Sequence, residues 1–74
     1  MAVDVELFGQ LLPAAPRRQV LNLESPQTVR QVAILLGIDP EEAGLIAIDG
    51  IQSELEDIVP VDSRLCFFPP LSGG

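Results

Sequence analysis

Few side chains in this sequence are equipped for chemistry. Its 74 residues include no histidine, and all four bases are arginines: Arg17, Arg18, Arg30 and Arg64. The commonest general base is therefore missing, and so is any lysine amine. The single cysteine, Cys66, has no partner for an internal disulfide and no Cys/His cluster around it for a metal. The segment that stands out is Cys66-Phe67-Phe68-Pro69-Pro70-Leu71-Ser72-Gly73-Gly74. Phe68 and Pro69 each precede a proline and are pushed toward extended conformations. Pro69 and Pro70 hold φ near −65° and favour a stiff polyproline spacer. Such a segment can project up to roughly 20 Å from Pro69 to Gly74, at about 3.3–3.6 Å per residue. Glycines without side chains let its tip enter a channel too narrow for other residues.

Size limits what the rest can do. A chain this short buries only about 60% of its unfolded surface, so a ligand cavity of roughly 300–1,000 Å³ would hollow out its core. At 47% apolar residues and a mean hydropathy of +0.36 it is too hydrophobic to be disordered. Its longest apolar run, Val32 to Ile38, is far short of the roughly 20 residues a membrane span needs. Met1-Ala2-Val3-Asp4-Val5-Glu6 lacks the basic start of a secretory signal, and the expected location is the cytoplasm. The expectation is one domain over residues 1–68 with a projecting tail at 69–74, not an enzyme on its own.

The net charge is −7. Between Arg30 and Arg64 lie eight acids and no base. That balance argues against nucleic acid and anionic membranes as partners. It suits either a solvated surface or a face that steers the domain onto a basic partner.

The elements that must carry the tail can be read in order. Val3-Asp4-Val5-Glu6-Leu7-Phe8 alternates with period 2, a strand with Val3, Val5 and Leu7 inward. Gly9 opens a loop holding Pro13 and Pro16. Arg18 to Leu23 alternates again, with Leu21 and Leu23 inward, and completes a long-looped hairpin. Thr28-Val29-Arg30-Gln31 fits a capping box. Val29, Val32, Ala33 and Leu36 then make one apolar helix face, over about ten residues, and Gly37 suits a left-handed helix end. Asp39-Pro40-Glu41-Glu42 predicts a single further turn capped by Asp39. Leu45 to Ile48 is a strand with Ile46 and Ile48 inward and Ala47 outward, followed by an Asp49-Gly50 turn. Gln52 to Asp62 reads as irregular, with Leu55 and Ile58 in the core. The last strand, Arg64 to Phe68, has Leu65 and Phe67 inward and Cys66 and Phe68 outward. Cys66 is expected to be a small strand residue and not a nucleophile. Phe68, beside Ala47 and close to Leu71, is expected to form an apolar docking patch for a partner. A helix crossing one face of a mixed sheet buries these stripes economically. The predicted fold is α+β: a β-grasp, or ubiquitin-like, sheet of four to five strands packed on one main helix, with a flexible C-terminal tail.

These residues resemble the MoaD/ThiS sulfur-carrier family, most of all the molybdopterin synthase small subunit. The likeness rests on Phe67-Phe68-Pro69-Pro70-Leu71-Ser72-Gly73-Gly74, since members commonly end in Phe-Pro-Pro-x-x-Gly-Gly. Val5-Glu6-Leu7-Phe8-Gly9 resembles the family's first strand, Thr28-Val29 its helix start, Leu36-Gly37-Ile38 with Pro40-Glu41-Glu42 its helix exit, and Ile48-Asp49-Gly50 its strand-turn. This chain departs from the family in two places. Asp49-Gly50 replaces a frequent Asn-Gly. Val61-Asp62-Ser63 replaces a common Asp-Gly-Asp, which asks Asp62 to take the left-handed conformation.

The resemblance implies a carrier mechanism. An ATP-using, ubiquitin-activating-type enzyme adenylates the Gly74 carboxylate, and a persulfide donor converts it to a thiocarboxylate. In molybdopterin synthase the tail enters the large subunit and its sulfur passes to a pyranopterin precursor of the molybdenum cofactor. Gly74 is then the reacting residue and Gly73 gives access. Phe68, Pro69, Pro70, Leu71, Ser72 and Ala47 are expected to meet the partner. No cofactor is bound stably and no metal site is implied; ATP belongs to the activating enzyme. The alternatives are a thiocarboxylate carrier for thiamin, cysteine or tungsten-cofactor metabolism, a ubiquitin-like protein modifier, and a passive β-grasp interaction module. The absence of lysine would also limit capture of the activated terminus by the chain's own amines.

Overall fold

A computed structural model describes residues 1–70, and Leu71, Ser72, Gly73 and Gly74 lie outside the described residues. Five strands form one mixed sheet: β1 (Ala2–Leu7), β2 (Arg18–Asn22), β3 (Ile46–Ile48), β4 (Ile51–Ser53) and β5 (Arg64–Phe67). Their order is β2-β1-β5-β3-β4. Only β1 and β5 run parallel, and the other pairs are antiparallel. The helix α1 (Val29–Leu36) and a 3₁₀ turn (Pro40–Glu42) complete the described chain. This is the predicted β-grasp arrangement, with the first and last strands side by side at its centre.

The period-2 pattern of β1 does what it predicts. Val3, Val5 and Leu7 are buried, and they join Leu65 and Phe67 of β5, Ile46 of β3, and Val29, Val32 and Ala33 of α1 in a single core. The apolar stripe of α1 supplies the other wall, because an eight-residue helix gains its stability from packing and not from propensity.

Local chemistry fixes both ends of α1. The Gln31 amide donates to Thr28 Oγ1 at 3.1 Å, and the Thr28 amide donates to Gln31 Oε1 at 2.8 Å, the reciprocal capping box. Gly37 closes the helix with φ 92°. The helix stops at Leu36 and is shorter than the ten residues expected. Asp39 caps the 3₁₀ turn as anticipated, its carboxylate accepting from the Glu41 amide at 3.0 Å.

Three expectations need correction. First, the stretch after Gly50 is not irregular throughout: Ile51–Ser53 pairs with Ile46–Ile48 as an edge strand. The two-residue turn between them, with Asp49 at φ 50° and Gly50 at φ 82°, sets that register. Second, Ile58 is not in the core; it is 56% exposed, while Val59 is fully buried. The reason lies in main-chain bonding. The first helix amides, Val29 and Arg30, donate to the carbonyls of Asp57 and Leu55, and the Val59 amide donates to Gln27, all at 2.9 Å. The 55–59 segment is thus a cap for the helix N-terminus, and the register that satisfies those amides turns Val59 inward. Third, Ala47 and Cys66, although they lie on the face opposite the helix, are only 8% and 9% exposed. A methyl and a thiol are short enough to be covered by the longer side chains around them.

Asp62 does take the left-handed conformation, with φ 61°. No helix among the described residues is long and apolar enough to cross a membrane.

Candidate functional site

The face of the sheet away from α1 is organised in cross-strand rows. Register places Arg18, Glu6, Cys66, Ala47 and Gln52 side by side in one row. The row beyond it, toward the start of β1, holds Val20, Asp4 and Arg64. On the other side, toward the end of β5, the row is apolar: Phe8, Phe68 and Leu45. Here the ladder outlasts the strands. The Phe8 amide donates to the Phe67 carbonyl at 3.0 Å, the Phe68 amide to the Leu45 carbonyl at 2.9 Å, and the Gly44 amide to the Phe68 carbonyl at 2.8 Å. Phe68 is therefore hydrogen-bonded through both its amide and its carbonyl at the point where the sheet gives way to the prolines.

The Phe68 ring stacks on Phe8, with centroids 4.4 Å apart and planes 8° from parallel. Phe68 is half-buried, so its ring is a fixed part of the surface. Beside it opens an apolar hollow of about 620 Å³ lined by Gly44, Leu45, Gln52, Phe68, Pro69 and Pro70. Leu45 is exposed on its rim. Among the described residues Gln52 supplies its only polar side chain.

The sequence-predicted residues divide clearly. Phe68, Pro69 and Pro70 come together around this hollow. Ala47 is in the adjacent row, outside the lining of the hollow and nearly covered, so it offers little contact area of its own. Leu71, Ser72, Gly73 and Gly74 lie outside the described residues. Sequence reasoning missed Phe8, Leu45, Gly9 and Gly44. Strand parity carries a signal for two of them: inward Val3, Val5 and Leu7 put Phe8 outward, and inward Ile46 puts Leu45 outward.

Electrostatics change along the same face. The polar end holds Asp4, Glu6, Arg18 and Arg64 around a hollow of about 230 Å³, and Arg18 Nε lies 4.0 Å from Glu6 Oε1. Burial, followed by the charge of Glu6, pushes the Cys66 thiol up from its ordinary value, while Arg64 and Arg18 pull it down. A protonated, nearly covered thiol is a poor nucleophile. Away from this face, Arg30 binds Glu56 at 2.6 Å and Glu41 at 3.4 Å, which raises its own pKa and neutralises part of the acidic middle segment. Among the described residues no group of His, Cys, Asp and Glu could hold a metal ion.

No protein-family model matches the chain, and no curated protein matches it by sequence. Solved structures do. SAMP1 from Haloferax volcanii superposes with a TM-score of 0.73 at 22% identity, covering 100% of both chains. A chain in the complex of subunits 1 and 2 of molybdopterin-converting factor from Helicobacter pylori superposes with a TM-score of 0.63 at 18% identity, again covering 100% of both. At these identities the likeness is one of fold, and it spans the whole β-grasp from end to end.

Proposed function

We propose that this chain is a sulfur carrier that acts as the small subunit of a molybdopterin synthase. The observation that carries the reading is the placement of Phe67-Phe68-Pro69-Pro70 on this fold, with Leu71-Ser72-Gly73-Gly74 next in sequence. The aromatic pair is bonded into the sheet beside an apolar hollow, and the two prolines line that hollow. The end-to-end likeness to a chain of a two-subunit molybdopterin-converting factor supports a large-subunit partner.

In this reading the Gly74 carboxylate attacks the α-phosphorus of ATP on the activating enzyme and pyrophosphate leaves. The terminal sulfur of a persulfide then attacks the acyl carbon and AMP leaves. A second thiol cleaves the resulting acyl disulfide, which frees the thiocarboxylate and leaves a disulfide on the donor side. The chain contributes no acid or base to these steps. It contributes the reacting carboxylate, a stiff spacer and an apolar landing surface, and the partner shields the reaction from water. The surface formed by Phe68, Leu45, Pro69 and Pro70, with Ala47 in the row beside it, docks the large subunit, and Leu71 and Ser72 are assigned to the same contact.

The test is intact mass of the chain after incubation with ATP, its activating enzyme and a sulfur source, paired with thiocarboxylate-selective alkylation. Alkylation is required because oxygen-to-sulfur exchange resembles oxidation in mass. The expected result is one alkylated site at Gly74, lost when Gly74 is deleted. A terminus that never changes rejects the reading. Adducts on lysines of other proteins instead identify a protein modifier.

A further inference from the structure

Gly44 is a glycine for reasons of space. Gly9, Gly37 and Gly50 occupy the left-handed region, which favours glycine whatever surrounds it, but Gly44 does not. A Cβ at Gly44 would lie 2.5 Å from the Pro69 carbonyl oxygen, 2.7 Å from the Pro69 carbonyl carbon and 2.7 Å from Pro70 Cα. All three are main-chain atoms that no rotamer change can move aside. From the other direction, a Cβ at Gly9 would lie 2.6 Å from Pro69 Cγ and 3.1 Å from its Cδ. Pro69 is thus held between two backbones that carry no side chains.

The arrangement has a physical purpose at this point in the chain. Among the described residues Phe68 is the last whose amide the sheet can bond. Pro69 has no N–H, so the ladder cannot continue and the next residue's position must be set by packing. The two glycines provide that packing. Because Pro69 and Pro70 are stiff, a displacement of about 1 Å at Pro69 would carry to the point from which Leu71 continues, and misplacement on that scale can cost about 10²-fold in rate.

We propose that Gly9 and Gly44 form a seat for Pro69 that sets the direction in which the C-terminal segment leaves the domain. They are positioning residues for the reaction at Gly74, a role that rests on the sulfur-carrier reading above.

The test uses Gly44→Ala in the full chain, with Gly9→Ala and the Gly9→Ala/Pro69→Ala pair beside it. NMR of the unmodified chain should show contacts between Gly44 and the Pro70 α-proton and between Gly9 and the Pro69 ring. Gly44→Ala should shift the Phe68–Pro70 resonances and leave those of Val5 and Val32 in place. In single-turnover sulfur transfer at saturating large subunit, Gly44→Ala should slow the step tenfold to a hundredfold, a loss that further large subunit does not recover. Gly9→Ala should slow it too, and Pro69→Ala should restore part of that loss, since it removes the ring atoms a new methyl would strike. The same Pro69→Ala change should not rescue Gly44→Ala, whose contacts are with backbone. Unmoved Phe68–Pro70 resonances together with wild-type transfer in Gly44→Ala would overturn the seat. If the wild-type chain is never modified at Gly74, the carrier reading fails and the positioning role falls with it. In that case the NMR shifts alone decide whether the seat exists.

Discussion

The rings of Phe8 and Phe68 lie flat against each other, 4.4 Å between centroids, at the junction where the central strand pair ends and the prolines begin. One residue directly follows the first strand and the other directly follows the last, so the stack locks together the ends of the two central strands where the prolines begin. Aromatic pairs of this kind contribute about 0.5–1.5 kcal/mol beyond the area they bury. A Phe8→Ala/Phe68→Ala double-mutant cycle, read by urea denaturation, should return a coupling in that range. Phe68→Ala should also weaken large-subunit binding by about 1–3 kcal/mol with the domain still folded. Zero coupling in the cycle would mean that the stack holds nothing together, and unchanged partner affinity would remove Phe68 from the docking surface.

Val59 and Ile58 make a sharp pair. Burial assigns the core role to Val59, although Ile58 is the larger and more hydrophobic side chain. Val59→Ala should cost about 2 kcal/mol, from lost burial and the cavity left behind. Ile58→Ala should stay within about 0.5 kcal/mol, as exposed substitutions do. Chemical denaturation of the two variants checks this directly, and an inverted order would mean that the segment capping α1 is in the wrong register.

That pair also shows where sequence reading succeeds and where it stops. Thr28, Gln31 and Gly37 were legible because each acts on main-chain groups within four residues of itself. Val3, Val5, Leu7, Leu65 and Phe67 were legible because a half-buried strand repeats every two residues. Ile58 was misjudged because its orientation depends on Val29 and Arg30, amides far back along the chain that need the carbonyls of Asp57 and Leu55. Strand β4 was missed because three residues are too few to show a period, although the Asp49-Gly50 turn calls for a returning strand. At the candidate site, the aromatic-proline run was plain in the sequence, and so was the outward face of Phe68. The need for glycine at 44 was not, because it arises only when Pro69 and Pro70 arrive from the far end of the chain.

Arg17 gives the seat its foundation. Its guanidinium donates to the carbonyls of Gly9 at 2.9 Å, Leu11 at 2.6 Å and Ala15 at 3.3 Å, and to that of Leu12. Leu12 sits at φ 41°, a left-handed conformation that is costly for leucine and is held by these bonds. A lysine keeps the charge but cannot spread a planar fork over several carbonyls. Arg17→Lys should therefore cost about 1–2 kcal/mol of stability and shift the Gly9 and Pro69 resonances together. A Lys variant of wild-type stability with unmoved Gly9 would show that the loop is held by something else.

Cys66 predicts a pH dependence. Burial first, and then the charge of Glu6, hold its thiol above the ordinary value in the native chain, with Arg64 and Arg18 partly opposing. Between the unfolded and native pKa values the native state binds more protons than the unfolded one, so stability falls as pH rises through that window. Below the unfolded thiol's value, about 8.5, the contribution is fully present. Urea midpoints measured from pH 7 to pH 10 should decline more steeply in the wild type than in Cys66→Ala, which has no thiol to titrate. Native labelling with a chromogenic disulfide should be slow at pH 8 and accelerate when urea opens the domain, because the thiolate is both scarce and covered. Native labelling as fast as that of the unfolded chain would place the thiol in solvent and return Cys66 to the candidates for reaction with the activated terminus.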